Sequence, residues 1–146
     1  MTRATMFLMG AADPKGRTVE TILEADDLWL EDRHDWVQWA FPNRDPSMFN
    51  PDAPVWSSEE AAALPEEALA NLRRLVRRYQ RFLLHTDWWR HRSDHNHQRI
   101  TRVLLCLCDA GLRDEALAFH RFVESAPEPG DRSRSFWRAA MERDEA

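Results

Sequence analysis

Residues 65–84, "PEEALANLRRLVRRYQRFLL", decide the fold class. Leu69, Leu72, Leu75, Val76, Tyr79, Phe82 and Leu83 recur at the spacing by which an α-helix returns to one face. Pro65 suits a first helical turn, where its missing N–H would have had no intrahelical partner. Arg73, Arg74, Arg77, Arg78 and Arg81 line the remaining faces. The spacing predicts one long helix, apolar on the core side and strongly basic elsewhere. Such a basic face is ordinarily a solvated surface, with RNA or an acidic partner as its rarer use.

Working outward, Ser57 and Glu60 have capping-box spacing and open a short helix ending near Leu64. Before it, "PNRDPSMFNPDAPVW" (42–56) holds four prolines and is a loop, while Met48, Phe49, Val55 and Trp56 would hold it in order against the body. Thr18 caps a short helix carrying Val19, Ile22 and Leu23. Asp26 caps a longer one running through "DLWLEDRHDWVQWAF" towards Pro42, with a break near His34. Residues 1–16 read as an extended N-terminal arm.

On the other side, Ser93 or Asp94 caps "HNHQRITRVLLCLCDA", which is apolar on most sides from Ile100 to Ala110, ends at Gly111 and therefore belongs in the middle of the fold. Asp114 would cap the next helix, with Ala116, Phe119, Phe122 and Val123 inward. Residues 126–133 read as a linker, and Ser133 would open a last helix with Phe136, Trp137, Ala140 and Met141 as its apolar side. No stretch alternates as a strand does. The expectation is an all-α, single compact domain over 1–146, of six or seven helices with an ordered Pro-rich loop.

Composition agrees. A chain of 146 residues, 43% hydrophobic with seven tryptophans, is too apolar to be disordered and long enough to bury a core without staples. A net charge of −5 offers no general attraction to nucleic acid, so none is expected as a partner. Cys106 and Cys108 would point to nearly opposite sides of a helix and cannot pair, which fits a reducing compartment. The apolar run in "MTRATMFLMGAADPKGR" is too short for a signal-peptide core or a membrane span. These features point to a soluble, cytoplasmic protein.

Two stretches exceed what packing asks for: His34, Asp35 and Gln38 among Trp36 and Trp39, and "HRSDHNHQRITR" at 91–102. On a helix His95, Arg99 and Arg102 share one face near its positive end, which suits a carboxylate or phosphate; the alternative is that the arginines pair with Asp35, Glu31 or nearby acids to join helices. His91, Asp94, His95 and His97 are metal-ligand types without metal-site spacing, so no metal site is assigned. The tryptophans read as core, with Gln38 satisfying buried backbone. No catalytic triad, Gly-rich phosphate loop or cofactor signature is present, and no catalytic residue is assigned.

"RHDWVQWAFP" (33–42) resembles the His-Asp-(Tyr/Trp)-(Ile/Val)-Gln-Trp-x-Phe-Pro signature of the opioid growth factor receptor conserved domain. "HNHQRITRVLLCL" (95–107) resembles that family's His-Asn-x-x-Arg-Ile-Thr-Arg-(Ile/Val)-Leu segment, and weaker similarity runs from "FLMGAADPKGR" through "DPSMFNPDAPV" to "SFWRAAM". The matching positions are His34, Asp35, Gln38, Trp39, Pro42, His95, Asn96, Arg99, Thr101 and Arg102. The resemblance implies a compact helical domain and, by family label, a receptor for the pentapeptide Met-enkephalin associated in animals with nuclear and perinuclear membranes. This chain looks like a compact, stand-alone, bacterial-type member with another peptide or small anion as its ligand.

The leading expectation is a non-catalytic peptide- or anion-binding domain. Its site residues are His34, Asp35, Gln38, Trp39, His95, Asn96, Arg99 and Arg102, with the two motifs packed together, Asp35 or Gln38 near Arg99 or Arg102, and Trp39 beneath. The alternatives are an enzyme using His34 or His95 with Asp35 as acid-base groups, and a purely structural or assembly protein.

Overall fold

The computed structural model describes residues 1–47 and 50–143. Among them the chain forms nine helices: α1 (Arg3–Leu8), α2 (Val19–Glu24), α3 (Asp27–Asp32), α4 (Trp36–Ala40), α5 (Ser58–Ala62), α6 (Glu66–His85), α7 (His95–Asp109), α8 (Arg113–Glu124) and α9 (Asp131–Met141). No strand is present among the described residues; Asn43 and Val55 make one isolated bridge. The fold is all-α.

Four of the nine helices start where the capping residues placed them. The side chains of Thr18, Asp26, Ser57 and Asp94 accept from the N–H groups of Thr21, Trp29, Glu60 and Asn96. The end of α7 is a Schellman turn: Gly111 takes φ 75°, and the N–H groups of Gly111 and Leu112 return to the carbonyls of Cys108 and Leu107.

The expected count of six or seven helices rises to nine among the described residues, because α1 is added and the break near His34 separates α3 from α4. Three further expectations are corrected. Residues 1–16 are not an extended arm, because α1 lies within them: Phe7 and Leu8 are buried, Phe7 packs on Trp39 at 5.8 Å, and the Asn71 amide donates to the Leu8 carbonyl at 2.7 Å. A six-residue helix is unstable alone and owes its shape to those partners, which is why its local pattern carried no signal. Asp114 does not cap α8; it sits in the first turn after Leu112, and the Schellman turn sets the start instead. The linker is shorter than 126–133, since α9 begins at Asp131. Arg134 holds the segment before it, donating to the carbonyls of Glu124, Ala126 and Pro129.

The apolar helix α7 packs against α5, α8 and α9, while α1 and α2 lie on α6. Tyr79 joins the two long helices: its ring stacks on Phe82, and its hydroxyl donates to Asn96 on α7 at 2.9 Å. The basic face of α6 is only partly solvated. Arg73 pairs with Glu115 and Arg74 with Glu20, but Arg78 is buried and donates to the Ala25 carbonyl and Asp27, tying α6 to the turn between α2 and α3. Trp56 anchors the Pro-rich loop in the core, whereas Val55 is exposed; Met48 and Phe49 lie outside the described residues. Both cysteines are free. No described helix is long and apolar enough to cross a membrane.

Candidate functional site

The site begins where α3 ends. Arg33 is extended rather than helical, which leaves the last carbonyls of α3 without intrahelical donors. Arg99, reaching across from α7, supplies them. Its Nη1 donates to the Leu30 carbonyl at 2.8 Å, and its Nη2 to the carbonyls of Arg33 at 2.7 Å and Glu31 at 3.2 Å. The guanidinium lies 5.6 Å from the Trp36 ring, whose indole N–H also donates to the Leu30 carbonyl. A cation at a helix C-terminus is favourable, and the planar fork of arginine serves three carbonyls at once. The break near His34 is therefore held by a residue sixty-six positions away from Arg33.

A second layer lies over this clamp. Glu31 accepts from the Asn96 amide at 3.0 Å and meets His95 Nε2 at 2.5 Å, and Asn96 in turn accepts from Tyr79. Burial pushes the Tyr79 phenol well above its ordinary pKa, so it stays a donor. His34 and His95 meet edge to face with centroids 5.8 Å apart, so the two motifs are in contact.

Beside them opens a cleft of about 410 Å³, walled by Gln38 of α4, by Asn43, Asp45, Pro46 and Ser47 of the loop, and by His95, Arg99 and Arg102 of α7. The loop wall is braced: Asn50 donates to Gln38 at 2.6 Å, and the Asn43 side chain accepts from the Asp45 N–H at 2.8 Å. Arg102 differs from Arg99. Its Nε and Nη2 are buried and have no hydrogen-bond partner among the described residues. Burial lowers its pKa, opposing the charge it carries. Comparison of the chain with protein-family models, curated proteins and solved structures finds no match. The cleft must be interpreted from its own chemistry.

Of the eight residues named from sequence, His34, Gln38, His95, Arg99 and Arg102 line this cleft. Three do not. Asn96 is fully buried in the network below. Trp39 lies against Phe7 and under Arg3, away from Arg99, so the aromatic floor under Arg99 is Trp36. Asp35 faces the 13–17 turn, pairing with Arg17 and Lys15, each at 2.7 Å. Asp13 shapes that turn by accepting from the N–H groups of Lys15 and Arg17. An acid-base pair of His34 or His95 with Asp35 is thus replaced by the contact of His95 with Glu31.

Gln98, Asn43 and Asp45 were missed as lining residues, since only the loop's path brings Asn43 and Asp45 to α7. Among the metal-ligand types, His97 is buried with its ring nitrogens against Ser133 and the Trp89 carbonyl, and no described group of three His, Cys, Asp or Glu side chains has the arrangement a metal ion needs.

Asp35 gives a pH dependence. The hydrogen bond from Arg17, with Lys15 beside it, holds its carboxyl far below the usual range in the folded chain. On acidification the unfolded state therefore takes up its proton first. The contribution of Asp35 to stability is complete above the unfolded carboxylate pKa of about 4 and fades as pH falls below it. Asp35→Asn is expected to be less stable than wild type at neutral pH, with the gap closing towards low pH. Urea midpoints across a pH series measure this, and a constant gap would contradict it.

Proposed function

We propose that this chain is a helical binding domain that takes a small anion, in the first instance the carboxylate of a peptide, in the cleft between α4, the 43–47 wall and α7. The observation that carries the reading is Arg102, whose two buried N–H groups lack acceptors beside a cleft also edged by His34 and His95. An unsatisfied buried donor costs about 1–3 kcal/mol, and more when charged. An anion would relieve that cost, and side chains kept against stability commonly serve function. The resemblance to the opioid growth factor receptor domain supports a peptide as the ligand, because the cleft draws on both motifs that carry it.

Arg102→Leu tests this. The substitution is expected to raise the thermal midpoint by a few degrees and to abolish stabilisation by added acetate, phosphate or a short peptide with a free C-terminus, which should exceed that given by the amidated peptide. For wild type, a ligand at a hundred times its Kd adds about 2.7 kcal/mol. A wild type indifferent to all three, with Arg102→Leu destabilised, would overturn the proposal.

A second reading rests on the contact of His95 with Glu31 at the cleft rim, with Asp94 3.5 Å from the other ring nitrogen. A histidine set against a carboxylate is an acid-base arrangement. It calls for a substrate whose turnover falls in both His95→Gln and Glu31→Gln.

A further inference from the structure

We propose that Ser133 and His97 form a second site, a nucleophile and its base for acyl transfer from small esters, in the cleft between α7 and the start of α9. Ser133 is the third residue of α9 and does not cap it; its Oγ lies 2.6 Å from His97 Nδ1. The other ring nitrogen, Nε2, lies 2.7 Å from the Trp89 carbonyl. A carbonyl only accepts, so Nε2 carries the hydrogen. In the neutral ring the Nδ1 lone pair then faces the serine, whose hydroxyl donates to it. This is the order of nucleophile, base and orienting acceptor found in activated serines, with a main-chain carbonyl where a carboxylate often stands.

The pair is held rigidly. The His97 ring packs edge-on against Trp137 at 5.4 Å, and the His97 carbonyl accepts from the Trp137 indole and the Thr101 hydroxyl, each at 3.1 Å. Trp89 is fully buried and donates its own indole N–H to the Leu83 carbonyl at 2.8 Å, which fixes the orienting group.

On its other side the pair borders a cleft of about 390 Å³, lined also by Gln98, Thr101, Arg132 and the half-exposed ring of Phe136. That volume suits a small molecule, and Phe136 favours an apolar or aromatic group. No side chain caps the first turn of α9, so the N–H groups ahead of Arg134 have no capping acceptor and are the donors proposed for the developing oxyanion.

In the reaction Oγ bonds to the ester carbonyl carbon while its proton passes to Nδ1. The carbon–alkoxy bond then breaks, and the leaving oxygen takes that proton. Water adds to the acyl carbon, giving a proton to Nδ1; the Oγ–carbon bond breaks, and Oγ recovers the proton. Ester and water become acid and alcohol, and the protein is unchanged.

The test exposes the full chain to a fluorophosphonate and locates the adduct by peptide mass spectrometry, alongside p-nitrophenyl acetate hydrolysis. The expected result is an adduct on Ser133, ester hydrolysis lost in Ser133→Ala, and labelling slowed about 100-fold or more in His97→Gln. Melting curves establish that Ser133→Ala is folded. Should His97→Gln not fold, the wild-type labelling rate is read against pH, and it must fall as the base becomes protonated. Absence of an adduct on Ser133, or a rate indifferent both to His97 and to pH, would overturn the proposal.

Discussion

Arg99→Ala is expected to lower the thermal midpoint by roughly 10 °C or more. The side chain is buried and donates to three backbone carbonyls at the end of α3. Truncation leaves the buried Leu30 carbonyl with the Trp36 indole alone, takes the donor from the carbonyls of Glu31 and Arg33, removes the cation over Trp36, and frees the joint between α3 and α4. Loss of a partner from a buried charged network costs about 3–5 kcal/mol, and each kcal/mol moves the midpoint of a domain near this size by roughly 2–4 °C. Lysine should not restore the loss, because one ammonium cannot reproduce the fork that spans three carbonyls. His95→Ala is the control. Its side chain is 44% exposed, and exposed pairs contribute about 0–1 kcal/mol. Scanning calorimetry of the three variants decides the matter, and equal losses at positions 95 and 99 would refute this division of the motif.

Asp109→Ala should be comparably damaging, by about 3–5 kcal/mol. Its carboxylate has no solvent exposure, pairs with Arg44 at 3.0 Å and Arg143 at 3.2 Å, and accepts from the Trp56 indole at 3.1 Å and the Arg44 N–H at 3.2 Å. Alanine leaves the buried Trp56 donor unmatched and detaches both ends of the Pro-rich loop from α7. In urea the midpoint should fall with little change in the slope, since the surface exposed on unfolding is nearly the same. The loop wall of the cleft beside α7 should also become more sensitive to protease. Wild-type urea and protease profiles in this variant would show that the Asp109 network is dispensable.

The two variants share a lesson about the motifs. A family-like signature suggested a site, yet within it Trp36, Trp39, Asn96 and Arg99 hold the fold together, while His34, Gln38, His95 and Arg102 face the cleft. Arg99 and Arg102 lie on one helix face, so spacing alone made them equivalent. They differ because the frayed end of α3 meets one and no acceptor among the described residues meets the other.

By itself the sequence determined the all-α class, the long helices α6 and α7, and the capped starts of α2, α3, α5 and α7. Hydrophobic period and side-chain caps act over a few residues and are written locally. It also placed Gly111 at the end of α7, where a left-handed conformation favours glycine. Only the tertiary structure decided that residues 3–8 are helical, that Asp35 turns to Arg17, that Trp36 and not Trp39 underlies Arg99, and that His97 meets Ser133. Each of these depends on a partner distant in the chain. Hydrogen bonds and ion pairs of that kind are chosen by which buried groups would otherwise go unsatisfied, a condition no local pattern contains.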